Sequence, residues 1–260
     1  MKRQGRDQRI FEELIGFLDK KKTLTTSLGQ LVVETGKFFL GRPYRVGTLE
    51  TKGTERLVVN LRKFDCFTFV ENVIALAWCL KSRQISFEAF RRVLKKTRYR
   101  NGRIQGYASR LHYFSDWIHD NHKKGIVRDV TAEIGGRPWG KTLAFMTTHP
   151  DLYPPLQNTA NLRRMKSVER TVSRRSLYYI PKKIVRALEN RIRDGDIIAI
   201  TTNTKGLDVQ HVGLAVRDDN RIHLLHASSI EGKVVLSRQT LYRYLMESRT
   251  RSGIMVARIV

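Results

Sequence analysis

The chain has 260 residues, enough for one large domain or two small ones, either with a true core. Its 41% hydrophobic share is ordinary, but 49 Lys+Arg against 24 Asp+Glu leave a net charge of +25, a field that draws polyanions. No zinc-finger spacing, Gly-rich phosphate loop or RNA-recognition signature accompanies that charge, so a solvated basic surface is expected and no specific nucleic-acid partner.

Met1 to Lys22 carries seven basic residues but no apolar core of secretory length and no small-residue cleavage site. As written this is no signal peptide. The expectation is a cytoplasmic protein, or an envelope protein if the true start lies upstream. Ile10, Phe11, Leu14, Ile15 and Leu18 space an amphipathic helix that ends at Lys20 to Lys22. Residues 1–26 therefore read as a basic helical extension and 27–260 as one domain. Ser27 caps a second helix, stopped by Gly41 and Pro43, and an irregular stretch runs from Gly41 through Gly47 to Gly53.

Phe64-Asp65-Cys66 then opens an apolar run to Leu80, too short for a membrane span and apolar all round, hence a buried helix. Asp65 as N-cap puts Cys66 at the first helical position. Thr68 with Glu71 offers a capping box three residues later. Either start leaves the thiol beside unpaired backbone N–H groups and the positive end of a helix dipole, conditions that favour thiolate. The other cysteine, Cys79, lies about 20 Å along the same helix, so the two form no disulfide and share no metal. A small buried hydrophobe is the plain alternative for Cys66.

Ser86 caps a helix closed by the Asn101-Gly102 turn. Gln105 to Asn121 reads as one helix with Leu111, Phe114 and Ile118 inward, and Ile126 to Ile134 as a strand. Gly135 to Pro155 reads as loop, Asn158 to Val172 as a basic helix, and Pro181 opens a helix ending at Asp194-Gly195. Five short strands follow: Ile197 to Thr201, Val209 to Val216, Ile222 to His226, Val234 to Leu236 and Ile254 to Ile259. A helix from Arg238 to Met246, capped by Ser237, precedes the last. Helices first and an antiparallel sheet or half-barrel last make an α+β fold, with about 100–180 as a helical insertion.

The hairpin of the second and third strands brings two histidines together. If Asp218-Asp219 is the turn, facing residues sum to 437, so His211 and His226 oppose one another while His223 points away. Gly213 on the same face would let a partner element approach. A thiol at a helix start with two facing imidazoles downstream is the arrangement of a cysteine hydrolase.

Gly41-x-Pro43-Tyr44, Phe64-Asp65-Cys66, Gly195-Asp196, His211-Val212-Gly213 and Leu225-His226-Ala227-Ser228, in this order, resemble the NlpC-type papain-like cell-wall hydrolases. The run Phe64 to Asn72, with Gly106 to Trp117 and Gly206 to His211, looks like their N-acetylmuramoyl-L-alanine amidase-like branch. The resemblance implies a papain-like fold and a catalytic triad of Cys66, His211 and His226. It places Tyr44 and Asp65 near the site and makes peptidoglycan or muropeptide fragments the substrate. It implies no metal or other cofactor. Phe67-Thr68 stands where the wider family has Ser-Gly, which favours the amidase over a γ-D-glutamyl-diaminopimelate endopeptidase and places Phe67 beside substrate. Arg110 and His112, in the insertion, are the candidates for gripping substrate carboxylates. Three rivals remain: that endopeptidase with the same triad, a zinc site on the same three residues, and a non-enzymatic binder of anionic polymer.

Overall fold

The computed structural model describes residues 2–22, 26–50 and 53–260. The end of the N-terminal extension (23–25) and part of the irregular stretch before Gly53 (51 and 52) lie outside them. Helix α1, Lys2–Lys20, buries Ile10, Phe11, Leu14 and Leu18 in the same apolar core as α2 (Leu28–Phe38), α3 (Cys66–Lys81) and α4 (Phe87–Arg98). Phe11 meets Phe87 and Phe90 of α4 at centroid distances of 5.9 and 6.0 Å, so the extension is docked on the core. Gly36 lets α2 lie close: a Cβ there would sit 2.8 Å from Leu225 and 3.2 Å from Leu214.

After α4 the chain forms α5 (Phe114–Lys123), β1 (Val127–Asp129), β2 (Arg137–Trp139), α6 (Phe145–Thr148), α7 (Thr159–Ser173), β3 (Leu177–Pro181) and α8 (Lys182–Leu188). Then come β4 (Ile197–Thr202), β5 (Val209–Asp218), β6 (Arg221–Ser228), β7 (Lys233–Thr240), α9 (Leu241–Met246) and β8 (Arg251–Ile259). The strands form one open antiparallel sheet in the order β2-β3-β8-β4-β5-β6-β7, with β1 also on β8. Strand alternation divides two cores. Ile197, Val212, Leu214, Leu225 and Met255 face the N-terminal helices, whereas Ile198, Ala215, Leu224 and Val256 face α8 and α9. A third, smaller core holds Tyr107, Tyr113, Met146 and Met165 of the segment between α4 and β3.

The α+β class is as expected, but several elements differ. Gln105 to Asn121 is not one helix. A 3₁₀ turn at Tyr107–Ser109 and an extended Arg110 precede α5, because Ser109 bonds back to Gly106 and ends the turn. Ile126 to Ile134 holds only the three-residue β1. Asp129 then accepts the Thr131 N–H in a turn. The Gly135 to Pro155 stretch contains β2 and α6, and β3 before Pro181 leaves no sequence signal because Leu177–Pro181 is too short to show alternation. The last helix begins at Leu241 under a Thr240 cap, since β7 runs on to Thr240 beside β6.

The hairpin register also differs. Leu214 faces Leu225 and Asp218 faces Arg221, sums of 439, and the turn is Asp219-Asn220 with φ of 42° and 60°. Two left-handed residues fit the tightest hairpin turn, which Asn and Asp tolerate and which suits the strand twist. A shift of two preserves parity, so both histidines keep one face but stand diagonally rather than opposite.

Candidate active site

The Cys66 turn is held from both sides. Asp65 caps α3 by accepting the Thr68 N–H at 2.7 Å, and the Thr68 hydroxyl oxygen accepts the Asp65 N–H at 3.0 Å. This capping box fixes Cys66 as the first helical residue and excludes the start at Thr68. Glu71 instead forms a fully buried pair with Arg98 of α4 at 2.8 Å. Upstream, Tyr44 bridges Phe64, the Arg45 N–H reaches the Phe64 carbonyl at 2.7 Å, and the Tyr44 N–H reaches Gly232 of the β6–β7 connection at 2.8 Å. Tyr44 is thereby seated next to Cys66 and Asp65. Burial, then those two groups' charges, push its phenol up to about 12.

His211 and His226 are joined by a hydrogen bond, Nε2 to Nδ1, of 2.6 Å. Gly213 matters here in an unexpected way. Its missing Cβ leaves space for this hairpin's own side chains, because an atom there would lie 2.8 Å from Leu224 and 2.9 Å from the His226 Cβ. Tyr244 of α9 packs against both imidazoles, at 6.0 Å from His211 and 5.7 Å from His226, and the Arg251 guanidinium covers the Tyr244 ring at 3.8 Å. The β4–β5 ladder shifts register between Ile200 and Thr201, just where His211 pairs with Ile200. Such an irregularity re-aims side chains at a strand end.

There a cavity of about 130 Å³ has Cys66 and His211 among its walls, with Phe67, His112, Met146 and Asp208. The Val212 backbone, next to His211, lies beside the Cys66 sulfur. Burial pushes the thiol up to about 12, the Asp65 charge adds to this, and backbone hydrogen bonds from Val212, Phe67 and Cys66 itself oppose it. Desolvation thus works against the thiolate that the helix dipole favours. Burial likewise pulls His211 down to about 3, helped by His226 and Arg251, and His226 down to about 4, helped by Arg251. Thiol and imidazoles rest neutral. Asp208, buried and raised by desolvation, accepts the Ser115 N–H at 2.8 Å and the Val209 N–H at 2.7 Å, tying the start of α5 to β5.

The remaining expected residues fall around this cavity. Phe67 lies edge-on against Phe114 at 4.9 Å and forms part of both the Cys66 cavity and a neighbouring pocket of about 150 Å³. His112 also lines both, but its Nε2–H donates to the Tyr107 carbonyl at 3.0 Å, and burial followed by Arg110 pulls it down to about 3. A neutral ring grips no carboxylate by charge. Arg110 is already taken: it pairs with Glu50 at 2.7 Å and Glu55 at 3.7 Å and stacks on Tyr107. These contacts tie the loop before α3 to the segment before α5. Tyr244, Arg251 and Asp208 were missed from sequence. Only the Asp208 position, three before His211 in a quoted motif, carried a signal. Among the described residues no group of three His, Cys, Asp or Glu side chains is placed to hold a metal. No helix among them is long and apolar enough to cross a membrane.

An open antiparallel sheet backed by N-terminal helices, with a cysteine at a helix start and one histidine of a bonded pair lining the same cavity, sets the class. Residues 34–254 match the AmiA-like family, described as N-acetylmuramoyl-L-alanine amidase-like, and the chain belongs to that family. An N-acetylmuramoyl-L-alanine amidase from Bacteroides uniformis is 41% identical, with 89% of this chain and 98% of that chain covered and a TM-score of 0.85. A Bacteroides fragilis structure carrying a provisional xylanase name is also 41% identical, covering 87% and 100%, with a TM-score of 0.81. A Legionella pneumophila protein at 24% identity shares the fold, with a TM-score of 0.70 over 100% of this chain and 95% of that one. No curated protein matches.

Proposed function

We propose that this chain is a papain-like cysteine hydrolase of the NlpC type. It cleaves the amide between the lactyl group of N-acetylmuramic acid and L-alanine of the peptidoglycan stem peptide. The observation that carries the reading is that His211, hydrogen-bonded to His226, lines the same cavity as Cys66.

Because Nε2 of His211 is committed to His226, Nδ1 is the nitrogen left for the sulfur. A base at Nδ1 requires a proton on Nε2, so His211 donates and His226 Nδ1 accepts, with the single ring proton of His226 on Nε2. His226 thereby selects the working tautomer. With both partners neutral, the Cys66 proton passes to His211 as the sulfur attacks the lactyl carbonyl. The Cys66 N–H, which lacks a helical carbonyl partner at the first turn of α3, turns to the developing oxyanion, a contact worth about 10²–10³-fold in rate. His211 then protonates the departing L-alanine amine, and water activated by the same nitrogen clears the thioester. Atoms and charge balance without a further reactant.

A xylanase needs two carboxyl groups flanking one bond. The Cys66 cavity offers one, Asp208, whose oxygens already accept two backbone N–H groups. Phe67, wedged on Phe114, fills the place beside the nucleophile and favours the amidase over the endopeptidase. Alkylation with iodoacetamide should abolish hydrolysis of muropeptides while a chelator leaves it intact. Loss with chelator alone would sink the thiol mechanism.

A further inference from the structure

Beside the candidate site lies a larger cleft of about 470 Å³, between α1, α4 and the segment joining α2 to α3. It connects to Cys66 through shared walls. Gly47, Thr48 and Glu50 border both the cleft and the 150 Å³ pocket, and Phe67 and His112 border both that pocket and the Cys66 cavity. The cleft has four cations, Arg45, Arg62, Lys63 and Arg91, against two carboxylates, Asp7 and Glu50. Both carboxylates are committed, Asp7 to Arg62 at 3.2 Å and Glu50 to Arg110 at 2.7 Å. Arg91 pairs with Glu88 at its edge. Arg45 and Lys63 are exposed and make no ion pair among the described residues. They flank the Tyr44–Phe64 bridge that seats the Cys66 turn. Lys63 stands three residues before Cys66, within about 10 Å by chain length.

We propose that this cleft is a carboxylate-binding subsite, in which Arg45 and Lys63 take a free carboxylate of the acidic stem peptide. The inference rests on the amidase reading for the identity of the substrate. The aminosugar half of that substrate is neutral and the peptide half anionic, so charge sends the peptide toward this cleft. With Arg110 neutralised by Glu50 and Glu55, Arg45 and Lys63 are the uncompensated cations on the way. A charge-assisted contact of this kind is worth about tenfold or more in affinity.

Direct binding tests the cleft independently of turnover. The probes are a synthetic L-Ala-γ-D-Glu-L-Lys peptide with a free α-carboxylate and its α-amide, titrated calorimetrically against the Cys66→Ala protein. The acid should bind at least tenfold tighter than the amide. Adding Arg45→Ala and Lys63→Ala should collapse that ratio to near one, with an unchanged melting temperature verifying the fold. Equal affinity for the two peptides, no measurable binding, or a ratio that survives the double substitution would overturn the subsite. Failure of the amidase reading shows elsewhere, as an unsubstituted protein that binds the acid with the expected preference but releases no peptide from muropeptides.

Discussion

At the scale of single residues, the proposed mechanism runs on neutral groups. His211 and His226 are held well below the ordinary imidazole value, so the proposed base should stay competent through pH 5 and be lost only as pH falls toward 4 and 3. The acid limb of kcat/KM should therefore lie below pH 5 rather than near 6.5, and a limb near 6.5 would show that the pair is not buried during catalysis. Arg251 contributes by facing the pair across Tyr244. Removing its charge in Arg251→Met should raise both imidazoles and move that limb upward, which a pH–rate profile detects. Gly213→Ala is a sharper steric test. The added methyl meets Leu224 and the His226 Cβ below 3.0 Å, so hydrolysis should fall at least tenfold while the chain still folds.

At the scale of elements, α3 is placed by a buried ion pair as much as by apolar packing. Arg98 of α4 meets Glu71 of α3 with both side chains 1% exposed, and the guanidinium also reaches the Val58 carbonyl at 2.5 Å. Truncating one member of such a pair strands the other charge. Arg98→Met should lower the unfolding free energy by about 3–5 kcal/mol, read from urea denaturation midpoints. This pairing was not legible in the sequence, where Glu71 reads equally well as a capping partner. The Cys66 helix, by contrast, was legible because Asp65 and an unbroken apolar run leave few alternatives. The histidine pair was legible through parity even though its register was misread by two, since parity alone decides which face a strand side chain occupies. Tyr244 and Arg251 were not: they reach the pair from α9 and β8, about 20 to 40 residues away, by tertiary packing that no local period encodes. Arg110 looked free for substrate because its partners, Glu50 and Glu55, lie about 60 residues upstream.

Over the whole molecule, three desolvated histidines, buried His226 and half-buried His112 and His211, link stability to pH. Each has a folded-state pKa below its unfolded value of about 6.5, so the unfolded chain binds more protons as pH falls below 6.5. Their contribution is fully present above pH 6.5 and declines through 5 and 4 to the folded values near 4 and 3. The melting temperature should fall across that window, and replacing His112 with Gln should flatten the fall, as scanning calorimetry would show. The charge of +25 acts over longer range. It should concentrate the protein on anionic fragments at low salt, with binding weakening as the Debye length shrinks from about 10 Å at 0.1 M salt to 3 Å at 1 M. The segment between α4 and β3 forms one wall of the Cys66 cavity. Tyr113 donates to Glu169 at 2.6 Å, and its hydroxyl oxygen accepts the Met146 N–H, so α6 and α7 hold Met146 against the site.

The central claim is a cysteine nucleophile acting on the muramoyl–L-alanine amide. It is tested most directly by mass spectrometry of purified muropeptides incubated with the unsubstituted protein and with Cys66→Ala. The expected result is an intact peptide beginning with L-alanine, together with a free muramic acid carboxyl group, from the unsubstituted protein and from it alone. The same products from Cys66→Ala would contradict the nucleophile, and L-Ala-D-Glu released from a free stem peptide would contradict the choice of bond.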